Sequence, residues 1–235
     1  MNEPAVIIPA RNEGAVIGAV VAGIKMAVPL AVVVVVDDAS TDDTALQAKR
    51  AGATVLSSKT GLGIGGAVQL GVRYAYERGH SCFVRMDGDG QHDARYIAAL
   101  IERTRADTLT IGSRSRESFA ATSDWSRRLG SRCFVMLFKK LLRIEVPDPT
   151  SGYLCFGRTV ARQFAAYYPT DYPEIESTAL LCRAGFTIAS VPVVMRPRSS
   201  GASSITLFRA LIYMVSVTLA FLLSLIRKNP YSKTE

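Results

Sequence analysis

The sequence predicts an α/β domain whose sheet is mostly parallel and flanked by helices. Between residues 4 and 111, short apolar segments alternate with longer segments of helical periodicity, which is the pattern of a parallel sheet with right-handed crossovers. Residues 31–36 are apolar at every position, as expected of a strand covered on both faces. The chain has 235 residues, 49% of them hydrophobic, which is enough to bury one large core.

The predicted elements follow one another at regular intervals up to residue 111. Strands are predicted near 4–9, 31–36, 53–56, 81–86 and 107–111, and helices near 13–27, 41–51, 63–78 and 93–105. Residues 112–123 have the composition of a loop. Beyond it we predict a helix at 125–142, a strand at 153–156, helices at 158–166 and 174–184, a strand ending at 194 and a helix at 205–226.

Composition and charge limit the functional classes. The four cysteines are far apart and the chain has two histidines, so neither a zinc cluster nor a disulfide framework is indicated and we expect a reducing cytosol. The chain enters its first strand without a basic leader, so no signal peptide is expected. The formal charge is +8, and basic residues are concentrated after residue 196, beside the most apolar helix. We therefore expect an anionic membrane surface as a partner, and no nucleic acid.

Two carboxylates one residue apart end the fourth predicted strand. Asp87 and Asp89 stand in the segment Asp-Gly-Asp-Gly-Gln, at the strand end where open α/β sheets bind ligands. Oxygen ligands of this kind suit Mg²⁺ or Mn²⁺ and leave coordination positions for phosphate oxygens. A solvated turn is the alternative. A calcium loop is excluded because Ala98 stands where its glutamate would be.

Acidic residues also end the second strand. For Asp42 and Asp43 we favour a place at the start of a helix capped by Ser40 or Thr41, whereas Asp37 and Asp38 are candidates for substrate binding. A glycine-rich segment, Gly61 to Gly66, follows the third strand. It is interpreted either as a loop bordering a nucleotide pocket or as close helix packing. A dinucleotide fingerprint is not favoured because it belongs after the first strand.

Several residues after position 111 are further candidates. Arginines 127, 128 and 132 near a helix start favour an external anion, with plain solvation as the alternative. Asp148 stands between two prolines, so it is either a rigidly presented functional carboxylate or a turn residue. Glu174 and Glu176 open a helix, where the helix dipole favours them.

The C-terminal helix contains an uncharged run from 210 to 226, at the lower limit for crossing a bilayer. Polar or small residues at 209, 213, 216, 220 and 224 line one side. We expect a helix lying in the membrane interface first, and a tilted crossing second. The chain is accordingly divided into a domain of residues 1–203 and a C-terminal amphipathic helix with a basic tail, residues 204–235.

Seven motifs occur together in a characteristic order. They are Ile8-Pro-Ala-Arg-Asn-Glu13, Val36-Asp-Asp-Ala-Ser40, Gly61-Leu-Gly with Ala67, Asp87-Gly-Asp-Gly-Gln91, Gly112-Ser-Arg114, Asp148-Pro-Thr-Ser-Gly-Tyr153 and Arg198-Ser-Ser-Gly-Ala-Ser203. Together they resemble family 2 glycosyltransferases of the inverting GT-A type, most closely the polyprenyl or dolichol phosphate mannosyl- and glucosyltransferases. The resemblance covers residues 4 to about 209 and implies a Rossmann-like fold. The family often has an aromatic residue where Arg11 stands.

The resemblance also implies roles for individual residues. The nucleotide pocket would be lined by Pro9, Ala10, Glu13 and Asp37, with Asp38 and Gly61 beside it. The metal on the donor diphosphate would be held by Asp87, Asp89 and Gln91. Phosphate groups, including the acceptor's, would be bound by Arg114, Arg127, Ser131 and Arg198. We expect Asp89 and Arg198 to be essential for catalysis, and Asp148 to act as a base or as an orienting group.

The resulting hypothesis is a metal-dependent transferase at the cytoplasmic face of a membrane, held peripherally or monotopically. It would move a hexose from GDP-mannose or a UDP-sugar to a polyprenyl phosphate. One alternative is transfer to a hydroxyl of a growing polysaccharide or glycan, with Asp148 or Glu174 as base. Another is a catalytically silent, membrane-bound regulatory partner. A further partner, either a second copy of the chain or a small membrane protein, is left open.

Overall fold

The computed structural model describes residues 3–114, 134–196 and 207–233, with backbone alone for 207–213. Seven strands form one sheet. They are β1 (Ala5–Ala10), β2 (Val32–Asp38), β3 (Thr54–Ser58), β4 (Cys82–Arg85), β5 (Thr108–Arg114), β6 (Leu154–Gly157) and β7 (Thr187–Val193).

The strand order is β3-β2-β1-β4-β6-β5-β7. Strand β6 pairs antiparallel with both β4 and β5, while the other neighbouring pairs are parallel. All strands except β6 therefore point in one direction, and their carboxyl ends lie at one edge of the sheet. The predicted mostly parallel sheet is confirmed.

Helices cover both faces of the sheet. In the described ranges they are α1 (Gly14–Ala27), α2 (Thr44–Arg50), α3 (Gly63–Glu77), α4 (Ile97–Arg103) after a 3₁₀ turn (Ala94–Tyr96), a π-helical turn (Phe138–Leu142), α5 (Arg158–Ala166), α6 (Pro173–Arg183) and α7 (Leu207–Ile226). These positions match the predicted elements to within a few residues. Of the helix predicted at 125–142, residues 125–133 lie outside the described residues, and residues 134–137 are helical and lead into the π-helical turn.

Alternating strand residues point to two cores on opposite faces of the sheet. Ile7 and Phe83 pack with α3, α5, α6 and α7, while Val6 and Val84 pack with α1 and α4. In β2, every residue from Val33 to Val36 is at most 2% exposed. The apolar run therefore reflects burial on both faces, as the sequence predicted.

Helix α2 begins later than predicted, and its expected cap is wrong. Ser40 Oγ accepts a hydrogen bond from Asn12 N at 3.0 Å, and Thr41 N donates to Asn12 Oδ1 at 2.8 Å. The cap position is Asp43, without a side-chain cap. Contacts between two loops have replaced the local capping that the sequence suggested.

Helix α7 and the tail after it pack onto α6 and α5. Val217, Phe221 and Tyr231 belong to the buried core. Arg183 Nη1 donates to Ser224 O at 2.6 Å, and Tyr231 Oη donates to Tyr167 O at 3.2 Å. Contacts between residues 217 and 231 therefore bind this part of the chain to the domain.

The outer face of α7 is apolar. Ser224 is buried and Ser216 half-buried, so these members of the predicted polar line point toward the protein. The exposed side chains are Val215, Leu219, Leu222, Leu223 and Ile226. Among residues 3–114, 134–196 and 207–233, no helix combines the length and apolar character needed to cross a membrane.

Candidate active site

Those predicted site residues that the structure describes converge at the edge where the parallel strands end. Ala10 at the end of β1 lies opposite Asp37 at the end of β2. Asp87 and Asp89 follow β4, next to β1, and Arg114 ends β5. Parallel strands bring these side chains together although they are far apart in sequence.

Two loops at this edge are joined by hydrogen bonds. Asn12 adopts a left-handed conformation with φ 57°, which turns the chain out of β1. Glu13 N donates to Thr44 Oγ1 at 2.8 Å, and Gly14 N donates to Asp42 Oδ2 at 2.9 Å. The β1–α1 and β2–α2 loops therefore form one rigid wall beside Asp37, which is buried.

Asp38 and the glycine segment form the next part of the edge. The Asp38 carboxylate accepts hydrogen bonds from Leu62 N and from Gly63 N, the latter at 3.0 Å. Gly63 has φ +71°, which favours glycine, and a Cβ at Gly65 would lie 2.1 Å from Pro169 O. The glycines therefore serve both a special backbone turn and close packing, and Asp38 holds this loop in place.

Asp87 and Asp89, called the metal-type carboxylates because the sequence predicts that they bind a metal, lie on the loop after β4. Gln91 N donates to Asp89 Oδ1 at 3.0 Å, and Gly90 has φ +77°. The Asp87 side chain is 36% exposed. The described residues contain no group of three or more His, Cys, Asp or Glu side chains arranged to hold a metal. Carboxylate and amide side chains are oxygen ligands of the kind that a divalent cation takes together with phosphate oxygens.

Arg85 supports Asp87 from beneath and was not identified from the sequence. Its side chain is only 1% exposed, and it donates through Nη2 to Asp87 Oδ1 at 2.9 Å and through Nη1 to Glu174 Oε1 at 2.6 Å. Burial lowers the pKa of Arg85, but the two carboxylates outweigh it and raise that pKa overall. A charged residue within an otherwise apolar strand is the signal that would have identified it.

His92 is a second supporting residue that the sequence analysis did not select. Its Nδ1 accepts a hydrogen bond from Asp87 N at 3.0 Å, and its ring stacks on Tyr153 with centroids 4.8 Å apart. Burial lowers the pKa of His92. The neutral ring with Nδ1 as acceptor is therefore favoured, and it fixes the backbone at Asp87.

Asp148 and Arg114 form a nearly buried ion pair. Arg114 donates through Nε to Asp148 Oδ2 and through Nη2 to Asp148 Oδ1, both at 2.7 Å. Arg114 Nη2 also donates to Thr150 Oγ1 at 2.6 Å. Both carboxylate oxygens are thus engaged, which suits an orienting group better than a proton acceptor.

The two acids at the start of α6 make different contacts. Glu174 pairs with Arg85, whereas Glu176 lies 3.3 Å from Arg227 Nη2 in the chain's tail. Burial raises the pKa of Glu176. Their places in the first turn of α6 agree with the predicted helix start, and each acid also pairs with an arginine from another part of the chain.

Five residues predicted to bind an anion or a phosphate lie outside the described residues: Arg127, Arg128, Ser131, Arg132 and Arg198. The chain that leads to Arg198 does reach the site. Arg196 N donates to Gln91 O at 2.9 Å, and Arg196 Nη2 lies 3.1 Å from Asp93 Oδ2. The segment after β7 is therefore attached to the loop that carries the metal-type carboxylates.

A family model, described as glycosyl transferase family 2, matches residues 5–165. This range contains every strand from β1 to β6 and the loop after β4. The chain belongs to glycosyl transferase family 2. It is accordingly a glycosyltransferase, as its motifs indicated.

Two characterised relatives match this glycosyltransferase over most of its length. Undecaprenyl-phosphate mannosyltransferase of Micrococcus luteus is 32% identical over 210 residues, covering 85% of this chain and 86% of the relative. Polyprenol monophosphomannose synthase of Mycolicibacterium smegmatis is 28% identical over 212 residues, covering 86% and 80%.

Solved structures place the glycosyltransferase in a GT-A-like α/β fold. Glucosyl-3-phosphoglycerate synthase from Mycobacterium tuberculosis, with UDP bound, superposes with a TM-score of 0.70 at 21% identity, over 95% of this chain and 80% of that one. The same enzyme with Mn²⁺, UDP and glucosyl-3-phosphoglycerate gives 0.66 at 23% identity, over 95% and 79%. At these identities the likeness concerns the fold.

Proposed function

We propose that this glycosyltransferase moves a hexose from a nucleotide diphosphate sugar, GDP-mannose or a UDP-sugar, to the phosphate of a polyprenyl lipid. The observation that carries the proposal is the meeting of Asp87 and Asp89 with the ends of β1 and β2 at one sheet edge. The two characterised relatives, both named for polyprenyl mannose chemistry, support the lipid acceptor and the hexose.

The donor would lie across the ends of β1, β2 and β4. Pro9, Ala10, Glu13 and Asp37 would line the nucleotide side, where the two loops form a rigid wall. Gly61 borders this side next to Arg11, since a Cβ at Gly61 would lie 3.4 Å from Arg11 Nη1. Rigid walls of this kind reduce the entropy lost when the nucleotide binds.

Asp87, Asp89 and Gln91 would hold a Mg²⁺ or Mn²⁺ ion. Such an ion supplies positive charge to the diphosphate as it leaves. A structural neighbour was crystallised with Mn²⁺ and UDP, which supports this use of a divalent metal. Gln91 N also orients the Asp89 side chain through the hydrogen bond that it donates to Asp89 Oδ1.

The acceptor phosphate needs no strong base because its oxygen is already ionised. It would attack the anomeric carbon from the side opposite the diphosphate, so that a new carbon–oxygen bond forms as the bond to the diphosphate breaks. The configuration is thereby inverted. Arg114, Arg127, Ser131 and Arg198 would bind the phosphate groups and absorb their charge.

Transfer to a hydroxyl would require a general base, and the candidate carboxylates are engaged elsewhere. Asp148 accepts two hydrogen bonds from the side chain of Arg114, and Glu174 accepts one from Arg85. Asp148 is therefore proposed as an orienting group for Arg114. This geometry favours a phosphate acceptor over a glycan hydroxyl.

The membrane surface is proposed to bind the outer face of α7. This face carries five exposed apolar side chains in line, and Lys228 at its end adds attraction to anionic lipid. The protein would then lie peripherally on the cytoplasmic leaflet. A lipid acceptor would be reached from the same surface.

The test is a transfer assay with purified protein, short-chain polyprenyl phosphate, and a panel of GDP- and UDP-sugars, with and without Mn²⁺. We expect a glycolipid product with one donor and Mn²⁺, and no product after EDTA treatment. Transfer to a free glycan but not to the lipid phosphate would replace this proposal with the glycan alternative. Absence of both transfer and donor binding would support the silent partner.

A further inference from the structure

Three charged side chains, Glu174, Arg85 and Asp87, form a line that ends at one of the metal-type carboxylates. Glu174 Oε1 lies 2.6 Å from Arg85 Nη1, and Arg85 Nη2 lies 2.9 Å from Asp87 Oδ1. The side chains are 21%, 1% and 36% exposed along the line from Glu174 to Asp87. Because the central guanidinium is shielded from water, charges on either side of it interact more strongly than they would at the surface.

The line is held rigidly. A Cβ at Gly152 would lie 2.5 Å from Arg85 Nη1 and 3.0 Å from Asp87 Oδ2. Backbone from another loop therefore closes over the guanidinium, and His92 fixes the backbone at Asp87. Arg85 has little room to turn away when its partners change.

The charge of Arg85 has opposite effects on the carboxylate and on a cation. It orients Asp87, but it also repels a divalent ion bound there. Glu174 offsets this repulsion, because its negative charge neutralises part of the positive charge of Arg85 on the side away from Asp87. Removing the negative charge of Glu174 would leave Arg85 to be neutralised by Asp87 alone.

We propose that Glu174 is a positioning residue that sets the cation affinity of Asp87 by acting through Arg85. The inference rests on the proposed role of Asp87 and Asp89 as metal ligands. It gives Glu174 a role other than that of a general base. It also explains why a full positive charge is buried at the end of β4 directly below a site for a cation.

The test measures Mn²⁺ binding to the protein without substrate, from the electron paramagnetic resonance signal of the free ion. Glu174→Gln keeps a hydrogen-bond acceptor for Arg85 but removes the charge, so we expect Mn²⁺ to bind about tenfold more weakly, as when groups behind metal ligands are altered. Glu174→Asp keeps the charge, but its side chain is too short to hold Arg85 at 2.6 Å, so we expect a loss of Mn²⁺ affinity that is smaller than in Glu174→Gln.

The matched control is Glu176→Gln, on the same helix turn. Glu176 is buried and faces Arg227 in the tail, away from Arg85, so this variant should bind Mn²⁺ like the wild type. GDP and UDP binding in the presence of EDTA should be the same in every variant as in the wild type. Weaker nucleotide binding would indicate a general disturbance of the site.

The possible outcomes distinguish failure of the role proposed for Glu174 from failure of the proposed metal site. Mn²⁺ binding that is absent from the wild type, or identical in Asp89→Ala, would contradict the metal site itself. Normal Mn²⁺ binding by both Glu174 variants, in a wild type that does bind, would overturn the role of Glu174 alone. An equal loss in Glu176→Gln would overturn it too, by showing an effect of the whole helix.

Discussion

At the scale of single residues, Asp89 and Asp87 have different surroundings. Asp87 is contacted by the buried Arg85 and by His92, and Asp89 accepts a hydrogen bond from Gln91 N within its own loop. Substitution of Asp87 would remove one of the two carboxylate partners of Arg85 and would thereby disturb the fold. Asp89 is therefore the better residue with which to test metal binding.

Asp89→Ala is expected to abolish transfer and Mn²⁺-dependent donor binding while the fold stays intact, because the side chain lies outside the core. Turnover, donor binding and the far-UV circular dichroism spectrum are the measurements. Glu102→Ala is the matched control, since Glu102 is exposed on α4. Unchanged turnover in Asp89→Ala would refute the metal site assignment.

Gly152 lies so close to Arg85 that there is no room for a side chain at this position. Gly152→Ala would place a Cβ 2.5 Å from Arg85 Nη1, so the guanidinium or the loop must move. We expect transfer to fall by about 10- to 100-fold, as when a supporting contact of a metal ligand is lost. Weaker Mn²⁺ binding should accompany the loss.

The control for Gly152→Ala is Gly23→Ala, within α1. A Cβ there meets nothing within 4 Å, and alanine favours a helix by about 1 kcal/mol over glycine. This variant should keep full activity and gain slight stability. A Gly152→Ala enzyme with wild-type rate and Mn²⁺ affinity would mean that Arg85 adapts freely.

At the scale of elements, the two faces of α7 have different roles. Its inner face contributes Val217 and Phe221 to the core, and the following tail contributes Tyr231. Deletion of the helix would therefore expose the core as well as remove the proposed membrane contact. Substitutions confined to the outer face test membrane binding without this complication.

The triple variant Leu219→Ser, Leu223→Ser and Ile226→Ser is expected to bind anionic vesicles at least tenfold more weakly. Each side chain is about half exposed or more, and full burial of such a side chain contributes about 1.5–3 kcal/mol. Vesicle co-sedimentation is the measurement. Donor hydrolysis should stay unchanged because these residues lie on the outer surface of α7.

The matched control changes two exposed apolar residues on the other face of the sheet. Met26 and Leu30 are 83% and 70% exposed, at the end of α1 and just beyond it. Their replacement by serine should leave vesicle binding as in the wild type. Equal loss in both variants would indicate nonspecific adsorption, and no loss in either would exclude α7 as the membrane contact.

At the scale of the whole molecule, Asp93 joins distant parts of the chain. It accepts hydrogen bonds from Arg95 at the start of the α4 region and from Arg196 after β7. The bonds from Arg95, followed by those from Arg196, lower the pKa of Asp93 to about 2, from a usual 3.8. The sheet's edge strand is thereby attached to the loop after β4.

The lowered pKa gives a pH dependence of stability with a definite sign. The ionised carboxylate stabilises the fold above about pH 4, and this contribution is lost as the pH falls toward about 2. We expect Asp93→Asn to melt about 2–4 °C below the wild type at pH 6, since its arginine partners are exposed and the pairs contribute about 1 kcal/mol.

Melting curves between pH 6 and pH 3 check this prediction. The difference between wild type and Asp93→Asn should narrow as the pH is lowered. Asp171→Asn, an exposed carboxylate beside Thr170, should show no such trend. A difference that stays constant with pH would mean that the charge of Asp93 is not what stabilises the fold.

The sequence by itself determined the order of the elements and the edge where the site lies. The apolar runs predicted the strands because a buried strand needs apolar residues along its own length, and that pattern is visible in the local sequence. Asp37 and Asp87 were assigned to the site because they directly follow such runs, at strand ends that parallel pairing brings together. The family motifs then supplied the kind of chemistry, which the family match confirmed.

Only the tertiary structure decided which groups these residues contact. The pairing of Arg114 with Asp148, of Arg85 with Glu174, and of Ser40 with Asn12 joins segments separated by 28 to 89 positions. Local pattern carries no information on such pairs, since each depends on how two loops meet at the sheet edge. For the same reason the apolar face of α7 could be predicted from sequence, but not which side of the helix packs against the domain.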